Sequence, residues 1–116
     1  MPRRKLDPLP SVAFQILLAL SDQPLHGYAI MREVADQTGG RVRLGPATLY
    51  GSIQTLLEAG LIEEVDAPAY DDSEDERRRY YQLSAAGRKV ARDEAERLAG
   101  LLRVARAKNI LRGEHV

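Results

Sequence analysis

The chain has 116 residues, 44% of them apolar and 29% charged, the composition of one ordinary globular domain able to bury roughly two-thirds of the surface its unfolded form exposes. It has no cysteine and only two histidines, His26 and His115, which excludes disulfide scaffolds, zinc fingers, thiol catalysis and most transition-metal sites; no run approaches the roughly 20 apolar residues of a membrane span. The formal net charge is zero but segregated, +2 over residues 1–52, −9 over 53–76 and +7 over 77–116, so separate positive and negative faces are expected.

Arg3, Arg4 and Lys5 precede a short apolar run from Val12 to Leu20, the outline of a signal peptide. Pro8 and Pro10 separate the two parts and Gln15 interrupts the run, so it reads as a buried first helix of a cytoplasmic protein. Residues 1–10 form a proline-punctuated arm, and Ser11 is a suitable N-cap for this helix. Ser21-Asp22-Gln23-Pro24 is turn chemistry. A second helix follows from about Gly27 to Gln37, with Tyr28, Met31, Val34 and Ala35 as its inward face and Ile30 beside them, and Gly39-Gly40 ends it. Gly45-Pro46 opens a third helix, Leu49, Ile53, Leu56 and Leu57 repeat at helical spacing, and Gly60 closes it.

The period then changes. Leu61 to Val65 and Arg78 to Leu83 read as two strands joined through a polar, acidic tip, a two-stranded hairpin. The tip, Asp71 to Glu76, lacks the alternating ligands and glycine of a calcium loop and reads as a self-repelling turn. Ser84 caps a last helix extending to about Leu111, in which Ala91, Ala95, Leu98, Leu102 and Ala105 follow 4-3-4-3 spacing with Val90, Leu101 and Val104 alongside. Such a stripe requires a partner, and a second copy of the chain supplies one.

Three helices, a hairpin and a long last helix give a mainly α fold with a small β-hairpin, a winged helix-turn-helix plus a C-terminal dimerisation helix. The expected divisions are an arm at 1–10, a winged-helix DNA-binding domain at 11–83, and a dimerisation helix and tail at 84–116. At 100° per residue the third helix gathers Leu49, Ile53, Leu56 and Leu57 on one side and Ala47, Thr48, Gly51, Gln54 and Thr55 on the other. The second face is small and hydrogen-bonding, as a helix entering the DNA major groove requires, and Gly51 in mid-helix costs about 1 kcal/mol unless close approach is useful. Arg77, Arg78 and Arg79 follow the acidic tip, where a wing would lay guanidinium groups on DNA phosphates. No nucleophile with a base, phosphate loop or metal cluster is recognisable, so neither enzymatic activity, a cofactor nor a metal is expected.

The runs His26-Gly27-Tyr28-Ala29-Ile30, Gly45-Pro46-Ala47-Thr48-Leu49-Tyr50-Gly51-Ser52-Ile53, Leu56-Leu57-Glu58-Ala59-Gly60-Leu61-Ile62 and Arg78 through Arg88 together resemble the PadR family of transcriptional regulators over about residues 9 to 92. Gly51 stands where many relatives have proline, and the short C-terminal part resembles the compact branch. The resemblance implies a homodimeric winged-helix repressor of transcription on double-stranded DNA, with an inverted-repeat operator. It places Thr48, Tyr50, Gly51, Ser52, Gln54, Thr55, Arg77, Arg78 and Arg79 at DNA, and Ala91, Ala95, Leu98, Leu101, Leu102 and Ala105 in the dimer interface. Compact relatives that bind flat aromatic drugs use a tryptophan, which this chain lacks, so no small-molecule effector is carried over. The competing expectation is a winged helix that docks another protein and never touches DNA. That reading calls for large exposed apolar or aromatic residues on the third helix.

Overall fold

The computed structural model describes residues 6, 8–69, 71 and 79–112. In chain order they form α1 (Ser11–Ala19), β1 (Leu25–His26), α2 (Gly27–Gln37), α3 (Pro46–Glu58), β2 (Ile62–Val65), β3 (Tyr80–Leu83) and α4 (Ala85–Ala107). The three helices, the hairpin and the long last helix are those anticipated from the sequence. The boundaries of α2 and α3 fall at the expected punctuation: Pro46 is the first residue of α3, and Gly39, Gly40 and Gly60 adopt positive φ just beyond the helix ends.

Four details differ. α4 ends at Ala107, short of the expected Leu111, with Asn109 at positive φ just beyond it. The sheet has three strands in the order β1-β3-β2, all antiparallel, because Leu25 and His26 pair with Tyr81 and Tyr80. A two-residue strand has no periodicity to read, and it exists only through this long-range pairing. Ser11 is the first residue of α1 and not its cap. Pro10 takes the extended cap conformation (φ −61°, ψ 147°), and the Ser11 Oγ accepts a 3.1 Å hydrogen bond from Gln15 Nε2. Tyr28 points outward and is 59% exposed, while Gly27, Ile30 and Val34 are the buried residues of α2. At 100° per residue Tyr28 lies about 160° from Ile30, so the apparent i, i+3 match to Met31 was misleading.

The core is built around α1, whose Ile16 and Leu17, with the C-cap residue Leu20, are fully buried and meet Ile30 and Val34 of α2 and Leu49, Ile53 and Leu56 of α3. Leu61, Ile62 and Tyr81 close it from the sheet side. This seating fixes the rotation of α3, turning Leu49, Ile53 and Leu56 inward and leaving Ala47, Thr48, Gly51 and Gln54 exposed. Two side-chain caps lock the joints. His26 Nδ1 accepts from the Ala29 amide at 3.1 Å, and the ring meets Tyr80 edge-on at 5.3 Å. Ser84 Oγ accepts from the Gly87 amide at 3.0 Å and donates to the Gly60 carbonyl at 2.7 Å, as anticipated for a capping serine.

His26 is therefore a structural residue that caps α2 and staples it to β3. Replacing it with alanine is expected to cost about 1 kcal/mol of unfolding free energy, the ordinary value of a lost N-cap. Asparagine, whose side chain can also accept at a cap, should restore most of that loss in urea unfolding. An unchanged midpoint for His26→Ala would show that the cap contributes nothing.

α4 has two parts. Its first turns lie on the domain, with Gly87 buried and Val90 and Ala91 packed against the core. Its second part carries exposed Leu101 (53%), Leu102 (48%) and Val104 (47%). The radius of gyration, 15.9 Å, exceeds the roughly 13 Å of a compact chain of this length, as a projecting helix requires.

Candidate nucleic-acid interface

The outward side of α3 borders two depressions, and the residues expected at DNA divide between them. Thr48, Gly51, Ser52 and Thr55 line a shallow groove of about 290 Å³ against Leu6, Pro10, Val12 and Ala13. Tyr50 and Gln54 line a larger cleft of about 660 Å³ that runs from the start of α2 across α3 to the sheet, where Glu64, Arg79 and Tyr81 form the far wall. Arg79 immediately precedes β3 and is brought into this cleft. Arg77 and Arg78 lie outside the described residues.

Thr48, Tyr50, Gly51 and Gln54 are exposed, and Ser52 and Thr55 are half-buried. Thr55 donates its hydroxyl to the Gly51 carbonyl at 3.0 Å, and Gln54 Nε2 donates to Glu58 at 3.2 Å. Both bonds are exposed and within the helix, so an external partner can replace them at small net cost. A Cβ added at Gly51 would meet nothing within 4 Å. No neighbour among the described residues therefore requires glycine there.

Tyr50 owes its position to a second glycine. Its ring lies over Gly27 so closely that a Cβ at residue 27 would stand 2.6 Å from the Tyr50 hydroxyl. The absent side chain lets the phenol lean on the start of α2, while Tyr50 remains 53% exposed. The hydroxyl is thus held in the cleft at the N-terminal end of α2.

Several cleft residues are absent from the set expected on sequence grounds. Tyr28 stands on the rim, with the Arg32 guanidinium 5.9 Å from its ring centroid. Its outward angle on the helical wheel was the available signal. Glu64 and Tyr81 enter through strand register, in which the two residues are directly paired, and register is set by contacts distant in sequence. Burial, and then the Glu64 carboxylate, push the Tyr81 phenol above its ordinary range, with Arg79 opposing. Tyr81 therefore stays protonated at neutral pH.

The second half of the α4 stripe is uncovered. Leu98 is half-buried, Ala95 is exposed, and Leu101 and Leu102 are about half exposed, while Ala105 is half-buried and Ala91 sits against the core. No helix among the described residues is long and apolar enough to cross a membrane. No group of three or more His, Cys, Asp or Glu side chains among them could hold a metal.

Helices α1 to α3 followed by the β2–β3 wing, with an extra strand before α2, define a winged-helix protein. Residues 16–93 match the Transcriptional regulator PadR-like family. The chain belongs to this family, whose members are transcriptional regulators and not enzymes. It is 37% identical over 86 residues to an uncharacterised 37.1 kDa protein in transposon TN4556 of Streptomyces fradiae, a match covering 74% of this chain and 22% of that protein. The chain thus spans about a fifth of the length of that curated relative.

Among solved structures, a transcriptional regulator from Clostridium thermocellum superposes with a TM-score of 0.68 at 24% identity, covering 83% of this chain and 87% of the other. Bacillus subtilis PadR in complex with operator DNA superposes with a TM-score of 0.64 at 19% identity, covering 76% of this chain and 48% of the other. At these identities the likeness is one of fold.

Proposed function

We propose that this chain is a cytoplasmic repressor of transcription that binds an inverted-repeat site on double-stranded DNA as a homodimer. In this reading α3 enters the major groove and the wing lies on the flanking backbone. The observation that carries it is the exposed face of α3. At its centre a glycine has open space where a side chain would be, with Thr48 and Gln54 to either side and a tyrosine hydroxyl at its edge. A helix brought against base edges needs a narrow, polar face of this kind. The small-residue side of α3 and the cleft side have separate tasks. Thr48, Gly51, Ser52 and Thr55 approach the bases with Gln54, while Tyr50 and the wing arginines Arg77, Arg78 and Arg79 hold phosphates and set register. The α4 stripe joins two copies through Ala95, Leu98, Leu101, Leu102 and Ala105, with Ala91, which sits against the core, at its inner end. A twofold dimer implies half-sites one or two helical turns apart, roughly 10 or 20 base pairs centre to centre. Residues 1–10, 11–83 and 84–116 then serve as arm, reading domain and dimerisation helix.

Gly51→Ala tests the reading directly, because the fold and the DNA make opposite demands on that position. With open space around it, alanine should stabilise the helix by about 0.5–1 kcal/mol. The same methyl group stands between α3 and the groove, and affinity for the duplex selected from a random library should fall about tenfold or more. Thermal unfolding and binding titrations should move in opposite directions. Unchanged affinity would remove Gly51 from the interface. The exposed Tyr28 and Tyr50 are the features that a protein-docking winged helix would use, and a selection that enriches no duplex at low salt would favour that reading.

A further inference from the structure

The cleft beside α3 contains one feature that opposes DNA. Among the described residues lining it, Arg79 is the only lysine or arginine, and α3 itself contains no basic residue. Yet Arg79 is already occupied. Its Nη1 donates to both carboxylate oxygens of Glu64, at 3.3 and 3.2 Å. Glu64 thereby presents to the guanidinium what a phosphate would present, two anionic oxygens on one centre.

We propose that Glu64 is a built-in competitor for the DNA backbone, pairing with Arg79 until a phosphate takes its place and holding down attachment to DNA of every sequence. This rests on the reading that the cleft faces DNA.

Three observations support it. The pair is easily exchanged, because the two side chains are 61% and 45% exposed and such ion pairs contribute little. One nitrogen serves both oxygens, and Nη2 and Nε of Arg79 make no hydrogen bond among the described residues; the guanidinium retains an edge with which to meet a phosphate before it leaves the carboxylate. Strand register, finally, selects this acid specifically. Glu63 and Glu64 are adjacent on β2, and alternation sends them to opposite faces. Glu63 accepts from Gln82 at 2.8 Å and is not part of the cleft. Glu64 lies across from Tyr81 and lines the cleft with Tyr50.

The consequence appears in salt dependence. A free wing arginine that neutralises one phosphate adds about 0.9 to the slope of log K against log salt, whereas an arginine that brings its own carboxylate adds little. Glu64→Gln removes the charge and keeps the shape. It should tighten binding to random-sequence and selected duplexes by the same factor, and its advantage over the wild type should grow about threefold as salt falls from about 200 to about 50 mM.

The experiment titrates wild type, E64Q, E63Q, R79A and the E64Q/R79A double variant of the full chain against a random-sequence duplex and a selected duplex across this salt range. Thermal unfolding of each variant checks that it is folded. E64Q is expected to bind more tightly with a steeper slope, E63Q to stay within twofold of wild type, and most of the E64Q gain to vanish in the R79A background. A folded E64Q that matches the wild type overturns the inference and leaves the DNA reading intact. Weaker binding by E64Q also overturns it, since Glu64 would then be presenting Arg79 to DNA. Equal gains from E63Q and E64Q overturn it as well, because bulk charge would suffice. A wild type that binds neither duplex overturns the DNA reading and this inference with it.

Discussion

Alanine at Gly87 is expected to cost about 3 kcal/mol of stability, at the upper end of what an overpacked site loses, and to lower the melting temperature by roughly 10–20 °C. Helix propensity predicts the reverse, since alanine is the better helix former by about 1 kcal/mol. The difference lies in what the residue faces. A Cβ at Gly87 would overlap the carbonyl oxygen of Leu61, with the Leu61 carbonyl carbon 2.9 Å and Cα 3.3 Å away.

That carbonyl cannot retreat easily, because it accepts the Ser84 amide at 3.1 Å, while the neighbouring Gly60 carbonyl accepts the Ser84 hydroxyl. Nor can α4 back away without breaking its own cap. Gly100 on the same helix is the control. A Cβ there meets only the far end of Arg103 at 3.6 Å, so Gly100→Ala should be neutral or stabilising. Thermal unfolding of both variants at matched concentration decides the matter; equal melting temperatures would show that α4 is not seated on the turn before β2.

The second large effect concerns assembly. Leu98→Asp together with Leu102→Asp should convert the proposed dimer of 12.9 kDa chains into a monomer, because each copy would place two carboxylates on an apolar face that the dimer must desolvate. Affinity for an inverted repeat should fall about 100-fold or more, since two linked half-site contacts become two independent ones. The fold should survive, because Leu102 is 48% exposed in the single chain and the buried core lies at the other end of α4. Light scattering alongside circular dichroism separates loss of assembly from loss of folding. A folded variant that remains dimeric would move the interface elsewhere.

The parts of the fold that were legible in the sequence are those written in local chemistry. Pro46, Gly60 and Ser84 each end or begin an element through their own backbone or side-chain properties, and the apolar repeat of α3 fixes which face is turned inward. What escaped was nonlocal. β1 consists of two residues that become a strand only because Tyr80 and Tyr81 lie beside them. Tyr28 resembled a core residue by spacing and became a rim residue once Ile30 and Val34 had claimed the buried side of α2. The same distinction divides the candidate site. The exposed small-residue face of α3 follows from a single helix, whereas the Glu64–Arg79 pair depends on the alignment of two strands whose connection carries no sequence periodicity.

The continuity of α4 has a mechanical consequence. One uninterrupted helix of 23 residues runs from the turn that seats it on the core to the apolar segment at its far end, about 35 Å in all. A rod of this kind has no hinge at which a displacement can be absorbed, so in the proposed homodimer a tilt imposed at one end would arrive at the other as a change in the distance between the two α3 helices. Its length is also a ruler. Inserting seven residues near Gly100 would preserve the apolar stripe yet move each domain outward by about 10 Å, close to three base pairs of duplex at 3.4 Å each. In the proposed complex, spacer preference on DNA would then follow the length of α4.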